Sequence, residues 1–204
     1  MPKRAIHYRE YFLLNMSLVI RLLIISDVVW MGAIGLLGPI FSLYIVEFID
    51  GANAAVAGTA AAIYLITKSI LQVPAAAIID KIHGEKDDFW ILFIGSLVGA
   101  ATPLLYLVIH TSGQLYAVQF LYGAVMAFTF PSYMALFTRH IDNGREGTDW
   151  GVYFTLVDLS TAITASVGGV IATMLGYRYL IIASVAISVL GASLLYPIRR
   201  QLFK

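Results

Sequence analysis

The sequence predicts an all-α integral membrane protein of six transmembrane helices, and three observations carry that reading. Hydrophobic residues make up 60% of the chain and charged residues only 12%, with a mean hydropathy of +0.85. Soluble domains need about a quarter of their residues charged to cover a water-facing surface, so lipid must solvate much of this one. Six apolar stretches are long enough to cross a bilayer. Lys and Arg also gather in alternate connections between them.

A helix needs roughly 20 residues to cross ~30 Å of hydrocarbon. The stretches that qualify are about 22–46, 55–79, 89–110, 114–138, 150–173 and 179–197, separated by polar breaks at 47–53, 80–88, 111–113, 139–149 and 175–178. No strand-like alternation runs through them, and a backbone in lipid must satisfy its own hydrogen bonds, which leaves helices. No linker divides the chain, so residues 1–21 read as an N-terminal arm, 22–197 as one bundle and 198–204 as a tail that reads as a natural end. Met1-Pro-Lys-Arg leads into a long span without a short apolar core and cleavage site, which predicts a retained first helix rather than a removed signal peptide.

Orientation follows from the basic residues. Lys3, Arg4, Arg9 and Arg21 precede the first span; Lys81 and Lys86 follow the second; Arg139 and Arg145 follow the fourth; Arg199, Arg200 and Lys204 close the chain. The opposite side holds Arg178 alone, and Lys68 lies within a span. Positively charged loops stay in the cytoplasm, so both termini are expected there, in the cell's inner membrane. A net charge of +1, with no basic patch interleaved with aromatics, excludes a nucleic-acid surface. There is no cysteine, hence no disulfide, thiolate metal site or thiol nucleophile.

The halves resemble each other at an offset of 92. Pro39 in Gly38-Pro39-Ile40-Phe41 meets Pro131 in Phe130-Pro131-Ser132-Tyr133, Gly84 meets Gly176, and the run from Ser96 to Ala100 meets that from Ser188 to Ala192. Each repeat, about 22–110 and 114–197, holds three helices, so the second enters the membrane inverted. Inverted repeats of three helices are a building plan of secondary transporters, where a site between mirrored units opens to either side in turn.

The loop Ala76-Ala-Ile-Ile-Asp80-Lys81-Ile-His-Gly84-Glu85-Lys86 is similar to the loop signature of the major facilitator superfamily. Tyr122-Gly123 through Pro131, Arg139 to Gly147, and Gly168-Gly169 before Gly176-Tyr-Arg fit as well, so that residues from about 25 to 197 resemble one six-helix half of such a transporter. Three features depart from the family pattern. Ala76 replaces the signature's first Gly, and Gly84 falls one place late. Gln119 stands where many proton-coupled members carry Arg. The fifth helix lacks the Gly-Pro pair of drug/proton antiporters. Members usually have twelve helices around a central cavity. The resemblance therefore implies a second half, either another copy in a parallel two-fold dimer or a complementary half encoded elsewhere.

Ionisable groups within spans cost about 2.5–3.5 kcal/mol each and mark functional candidates. Asp27, with Trp30 on the same face, is a protonation site or substrate contact, or else an anchor paired with Arg21. Lys68 shares a stripe with Tyr64 and Gln72 and is a contact for an anionic substrate, a counter-ion for the second protomer, or one partner of a structural pair with Asp158. Asp158, among Gly151, Thr155, Ala162, Ala165 and Gly169, reads as a structural or gating ion pair on a close-packing helix. On the fourth helix Gln119, Tyr122, Met126, Thr129 and Tyr133 form a stripe, and the resemblance implies that the first and fourth helices line the cavity. Asp80 and Lys81 resemble the family's gate latch, with Arg139 and Arg145 as candidate partners; Pro39 and Pro131 are candidate hinges. His7, His83, His110 and His140 share no metal-ligand spacing, and no nucleophile–base pair or phosphate loop occurs, so neither enzyme activity nor a cofactor or metal is expected. Two functions remain. One is a secondary-active transporter of a small solute, working by alternating access as a homodimer, with a proton or another ion open as the coupling species. The other is a non-transporting scaffold or regulatory subunit that pairs with another membrane protein.

Overall fold

A computed structural model describes residues 13, 16–82, 84–141 and 144–203. Lys3, Arg4, Arg9, His7, His83 and Lys204 of the sequence reading lie outside the described residues.

Six helices are long and apolar enough to cross a membrane: α1 (Leu18–Phe48), α2 (Ala54–Lys81), α3 (Lys86–Leu107), α4 (Ser112–His140), α5 (Glu146–Leu175) and α6 (Tyr177–Leu202). Each corresponds to one expected span, and most run several residues further than hydropathy alone suggested. The extensions have local causes. Ser17 caps α1 by accepting from the Ile20 amide at 3.2 Å, and Asn53 caps α2 by accepting from Ala55 at 2.9 Å. At α4 the Thr111 hydroxyl accepts from the Gln114 amide while the Gln114 side chain accepts from the Thr111 amide, a reciprocal box. Asp87 and Asp88 occupy the first turn of α3, and Arg139 and His140 the last turn of α4, each complementing the helix dipole.

Proline marks where regular helix gives way. In α1 a 3-10 turn at Gly38–Ile40 interrupts the α-helix, and in α3 the chain tightens to 3-10 geometry at Thr102–Leu107, which contains Pro103. Pro131 instead lies inside an unbroken α4. There Ser132 and Thr129 donate to the carbonyls of Phe128 and Val125, and Pro74 likewise lies inside an unbroken α2. Gly176 alone connects α5 to α6, at a φ of 88° that a side chain would rarely tolerate.

Packing is set by small residues. The closest pairings are α2 on α4 and α1 on α5, followed by α1 on α6, α3 on α4 and α3 on α6. A Cβ at Gly123 would stand 2.6 Å from the Tyr64 carbonyl oxygen of α2, and one at Gly168 would stand 1.9 Å from the Leu36 carbonyl oxygen of α1. With no hydrophobic drive between helices in lipid, such approaches supply van der Waals contact. Serines stitch α1 to its neighbours: Ser26 donates to Gly191 at 2.7 Å, Ser184 to Ala33 at 2.6 Å and Ser160 to Val28 at 2.9 Å.

Two apolar cores lie at opposite ends. One gathers Leu23, Ile24, Phe89, Leu136 and Phe137; the other gathers Leu37, Ile45, Leu115, Leu180 and Ile181. Between them sits a smaller cluster around Trp30, Ala100, Met126 and Ala192. Enclosure is uneven. Only 17% of the apolar stretch of α2 and 11% of that of α5 is buried, against 33% to 50% in the other four helices.

Candidate functional site

The centre of the bundle holds a cavity of about 330 Å3 between α1, α2, α3, α4 and α5. Its ionisable groups come from two helices. Asp27, on α1, accepts a hydrogen bond from the Tyr153 hydroxyl of α5 at 2.7 Å. Lys68, on α2, places its ammonium 4.7 Å from the centre of the Phe130 ring on α4. Among the described residues no ion pair joins either charge to another group. The carboxylate and the ammonium therefore share one mostly aromatic chamber without being paired to each other.

The remaining wall follows from helix geometry. Trp30 stands one turn beyond Asp27 and donates its indole N–H to the Ser96 carbonyl of α3 at 3.2 Å, which fixes the ring at the cavity edge. Met126, Thr129 and Tyr133 recur on one face of α4 and line the chamber together with Tyr122. Tyr133 is 4% exposed, and its ring lies 5.6 Å from that of Tyr153. Its buried hydroxyl is within electrostatic reach of Tyr153 yet makes no hydrogen bond of normal geometry.

Tyr64 and Tyr122 stack at 5.2 Å and border two cavities at once. Beyond them a smaller chamber of about 170 Å3 is lined by Gln119, Tyr106 and Phe41. Here Gln119 donates to the Tyr106 hydroxyl at 3.0 Å, and Tyr44 donates to the Tyr106 carbonyl. Gln119 thus belongs to the second chamber rather than to that of Asp27. Gln72 lines neither; it faces an open recess at the far end of α2, together with Asp80 and Pro131. Steps of four residues drift by about 40° around a helix, so the stripe Tyr64–Lys68–Gln72 turns away from the chamber by its third member.

The charged residues proposed as a latch are arranged differently from the sequence expectation. Arg139 binds the carboxylate of Asp88, which is wholly buried in the first turn of α3, and donates to the Gly84 carbonyl at 3.2 Å. Asp80 and Lys81 are exposed at the end of α2. The Nε of Arg145 lies 3.5 Å from Asp149, one turn into α5. His140 lies 3.8 Å from Glu85 across the same connection. Arg21 turns back to the carbonyls of Leu13 and Met16 rather than to Asp27. Asp158 forms no ion pair with Lys68; it is exposed in mid-span on α5, beside exposed Gly151, Thr155 and Ala162. Pro39 is exposed at the break in α1, and Pro131 borders the recess with Gln72.

Three contributors have no signature in the sequence. Tyr153, the hydrogen-bond partner of Asp27, lies 126 residues away from it. Phe130 and Ser96 read as ordinary apolar-helix residues. Asp88 sits in a polar break of the sequence, and nothing there singles it out as the partner of Arg139. Among the described residues no group of His, Cys, Asp and Glu has the makings of a metal site.

No curated protein matches the chain. The family model described as Major Facilitator Superfamily matches residues 23–202, which spans all six helices and the cavity between them. Members of that family are generally membrane transporters, and this multi-pass membrane protein belongs to the major facilitator superfamily.

Proposed function

We propose that the protein is a secondary-active transporter of a small solute, working by alternating access as a parallel homodimer. One observation carries the reading: a carboxylate and an ammonium lie unpaired in one aromatic chamber at the centre of the bundle. A scaffold has no use for either charge, since apolar residues there would be more stable in lipid. Asp27, Trp30, Lys68, Tyr122, Met126 and Tyr133 form the substrate wall, while Gln119 and Gln72 mark the paths leading away from it toward opposite ends.

The pattern of helix pairing supports an inverted repeat. Exchanging α1 with α4, α2 with α5 and α3 with α6 maps the α2–α4 pairing onto α5–α1 and the α3–α4 pairing onto α6–α1. The α3–α6 pairing maps onto itself. Such near-symmetry lets the two units rock between two states of similar energy. Arg139 with Asp88 ties the second unit to the first at the basic end, and Asp80, Lys81 and Arg145 are the further candidate members of that latch. The 3-10 break at Pro39 and the proline at 131 are the hinges.

The second copy is supported by what α2 and α5 expose. They are the least enclosed helices, yet α5 presents Asp158 exposed in mid-span, with Gly151, Thr155 and Ala162 exposed beside it. An even number of spans gives two copies the same orientation, so a two-fold axis along the membrane normal sets α2 of each copy beside α5 of the other. The basic connections support an orientation with both termini in the cytoplasm and the inner membrane as the site. A proton or another ion is the candidate for coupling.

The test is solute flux in vesicles containing the purified protein, repeated with Asp27→Asn and Lys68→Ala. Both variants are expected to fold and to lose flux. Variants that fold and leave every flux unchanged point instead to a scaffold or regulatory subunit.

A further inference from the structure

Resting on the reading of the central chamber as the transport site, we propose that its solute is a small zwitterion, bound with its ammonium at Asp27 and its carboxylate at Lys68. The two protein charges sit on different helices and different walls. Asp27 is held from α5 by Tyr153, and Lys68 lies against Phe130 of α4. Each is fixed by a partner that leaves its charge uncompensated, a hydroxyl in one case and a ring face in the other.

Net charge decides the class of guest. A cation answers Asp27 but adds a second positive charge beside Lys68. An anion answers Lys68 and repels Asp27. A neutral solute leaves both charges without a counter-ion in a mostly aromatic chamber, where unpaired charges are costly. A zwitterion neutralises both and leaves the net charge of the chamber unchanged. Its ammonium would also lie among the rings of Tyr133 and Tyr153, where cation–π attraction adds to the carboxylate.

Size and lining narrow the guest further. A chamber of about 330 Å3 is near the lower end of the ~300–1,000 Å3 of ligand pockets, which suits a body on the scale of an amino acid or a dipeptide. Trp30, Tyr64, Tyr122 and Met126 provide apolar and aromatic surface for that body.

The experiment is thermal stabilisation of the full chain in lipid nanodiscs, with L-phenylalanine, glycyl-L-phenylalanine and 6-aminohexanoate as probes. Each is compared with its methyl ester, which keeps only the cation, and its N-acetyl derivative, which keeps only the anion. At least one zwitterion is expected to half-saturate at a concentration tenfold or more below both of its derivatives. Asp27→Asn should erase the preference over the N-acetyl derivative, and Lys68→Gln the preference over the ester, with unliganded melting temperatures confirming that both variants fold. A panel in which no zwitterion outperforms its own derivatives overturns the inference. So does a preference that survives both substitutions. Counterflow of the labelled probe in vesicles separates this claim from the transport reading. Charge-dependent binding without flux sinks transport and leaves the zwitterion site. Flux of singly charged solutes as readily as zwitterions sinks the zwitterion site and leaves transport.

Discussion

Gly168 and Gly169 are adjacent on α5, yet an alanine at each should have opposite consequences. A Cβ at Gly168 would stand 1.9 Å from the Leu36 carbonyl oxygen, 2.7 Å from its carbon and 2.9 Å from its Cα. A carbon–oxygen contact needs about 3.3 Å. All three neighbours are backbone atoms of α1, so no side chain can swing aside. The two helices must separate by more than about 1 Å along one of the closest pairings in the bundle. Overpacking of this kind costs about 1–3 kcal/mol, occasionally more, and the rigid obstacle puts Gly168→Ala at about 3 kcal/mol or above. A Cβ at Gly169 meets nothing within 4 Å. There the substitution only improves helix propensity, which stabilises by about 0.5–1 kcal/mol. The assay is unfolding of the purified protein in detergent under monomeric conditions, followed by tryptophan fluorescence. Equal effects at the two positions, or a larger loss at Gly169, would refute the helix packing described for α1 and α5.

Other outcomes follow from the same geometry. Arg139→Ala strands the buried carboxylate of Asp88, and because Arg139 is itself open to water the loss should be about 2 kcal/mol rather than the ~3–5 of a fully buried pair. Adding Asp88→Asn should recover part of it in the same unfolding assay. Tyr153→Phe removes the donor to Asp27 and should cost about 1.5–3 kcal/mol, the range for a hydrogen bond to a charged group, with a matching loss of flux. Gln119→Leu frees the Tyr106 hydroxyl and should lower stability by about 1 kcal/mol, while leaving binding in the Asp27 chamber unchanged by ligand-induced melting shifts. Mixing Ser69→Cys protein with Ala162→Cys protein should yield an oxidised cross-link between copies, since both positions are exposed on the faces assigned to the dimer contact. A pair on α3 and α6, such as Val98→Cys with Leu190→Cys, should not.

The six helices were legible because lipid imposes one demand, a long apolar stretch, that hydropathy reads directly. Their ends were less so. Caps at Ser17, Asn53 and Thr111 set where helices begin, and a capping side chain carries no hydropathic signal. Asp27, Lys68 and the α4 stripe stood out as costly or patterned residues, and the structure brings Asp27, Trp30, Lys68, Tyr122, Met126 and Tyr133 to one chamber. What periodicity could not supply was depth and partner. Gln119 shares the α4 stripe but lies on the far side of the Tyr64–Tyr122 stack, and Gln72 rotates out of reach. The partners of Asp27 and Arg139 come from helices distant in sequence, where only the three-dimensional packing selects one tyrosine or aspartate among several. Pro39 and Pro131 look alike in sequence, yet α4 stays α-helical through its proline while α1 tightens to a 3-10 turn at Gly38–Ile40.

Alternating exposure of the chamber is the claim on which transport depends, and Met126 gives a direct measurement of it. The chain has no cysteine, so Met126→Cys introduces a single thiol on the chamber wall. In sealed, oriented vesicles, membrane-impermeant maleimides applied from either side should label it, with one side favoured at any moment and the balance shifting when a solute is added. A thiol that reacts from neither side, or from one side only under every condition, contradicts the account.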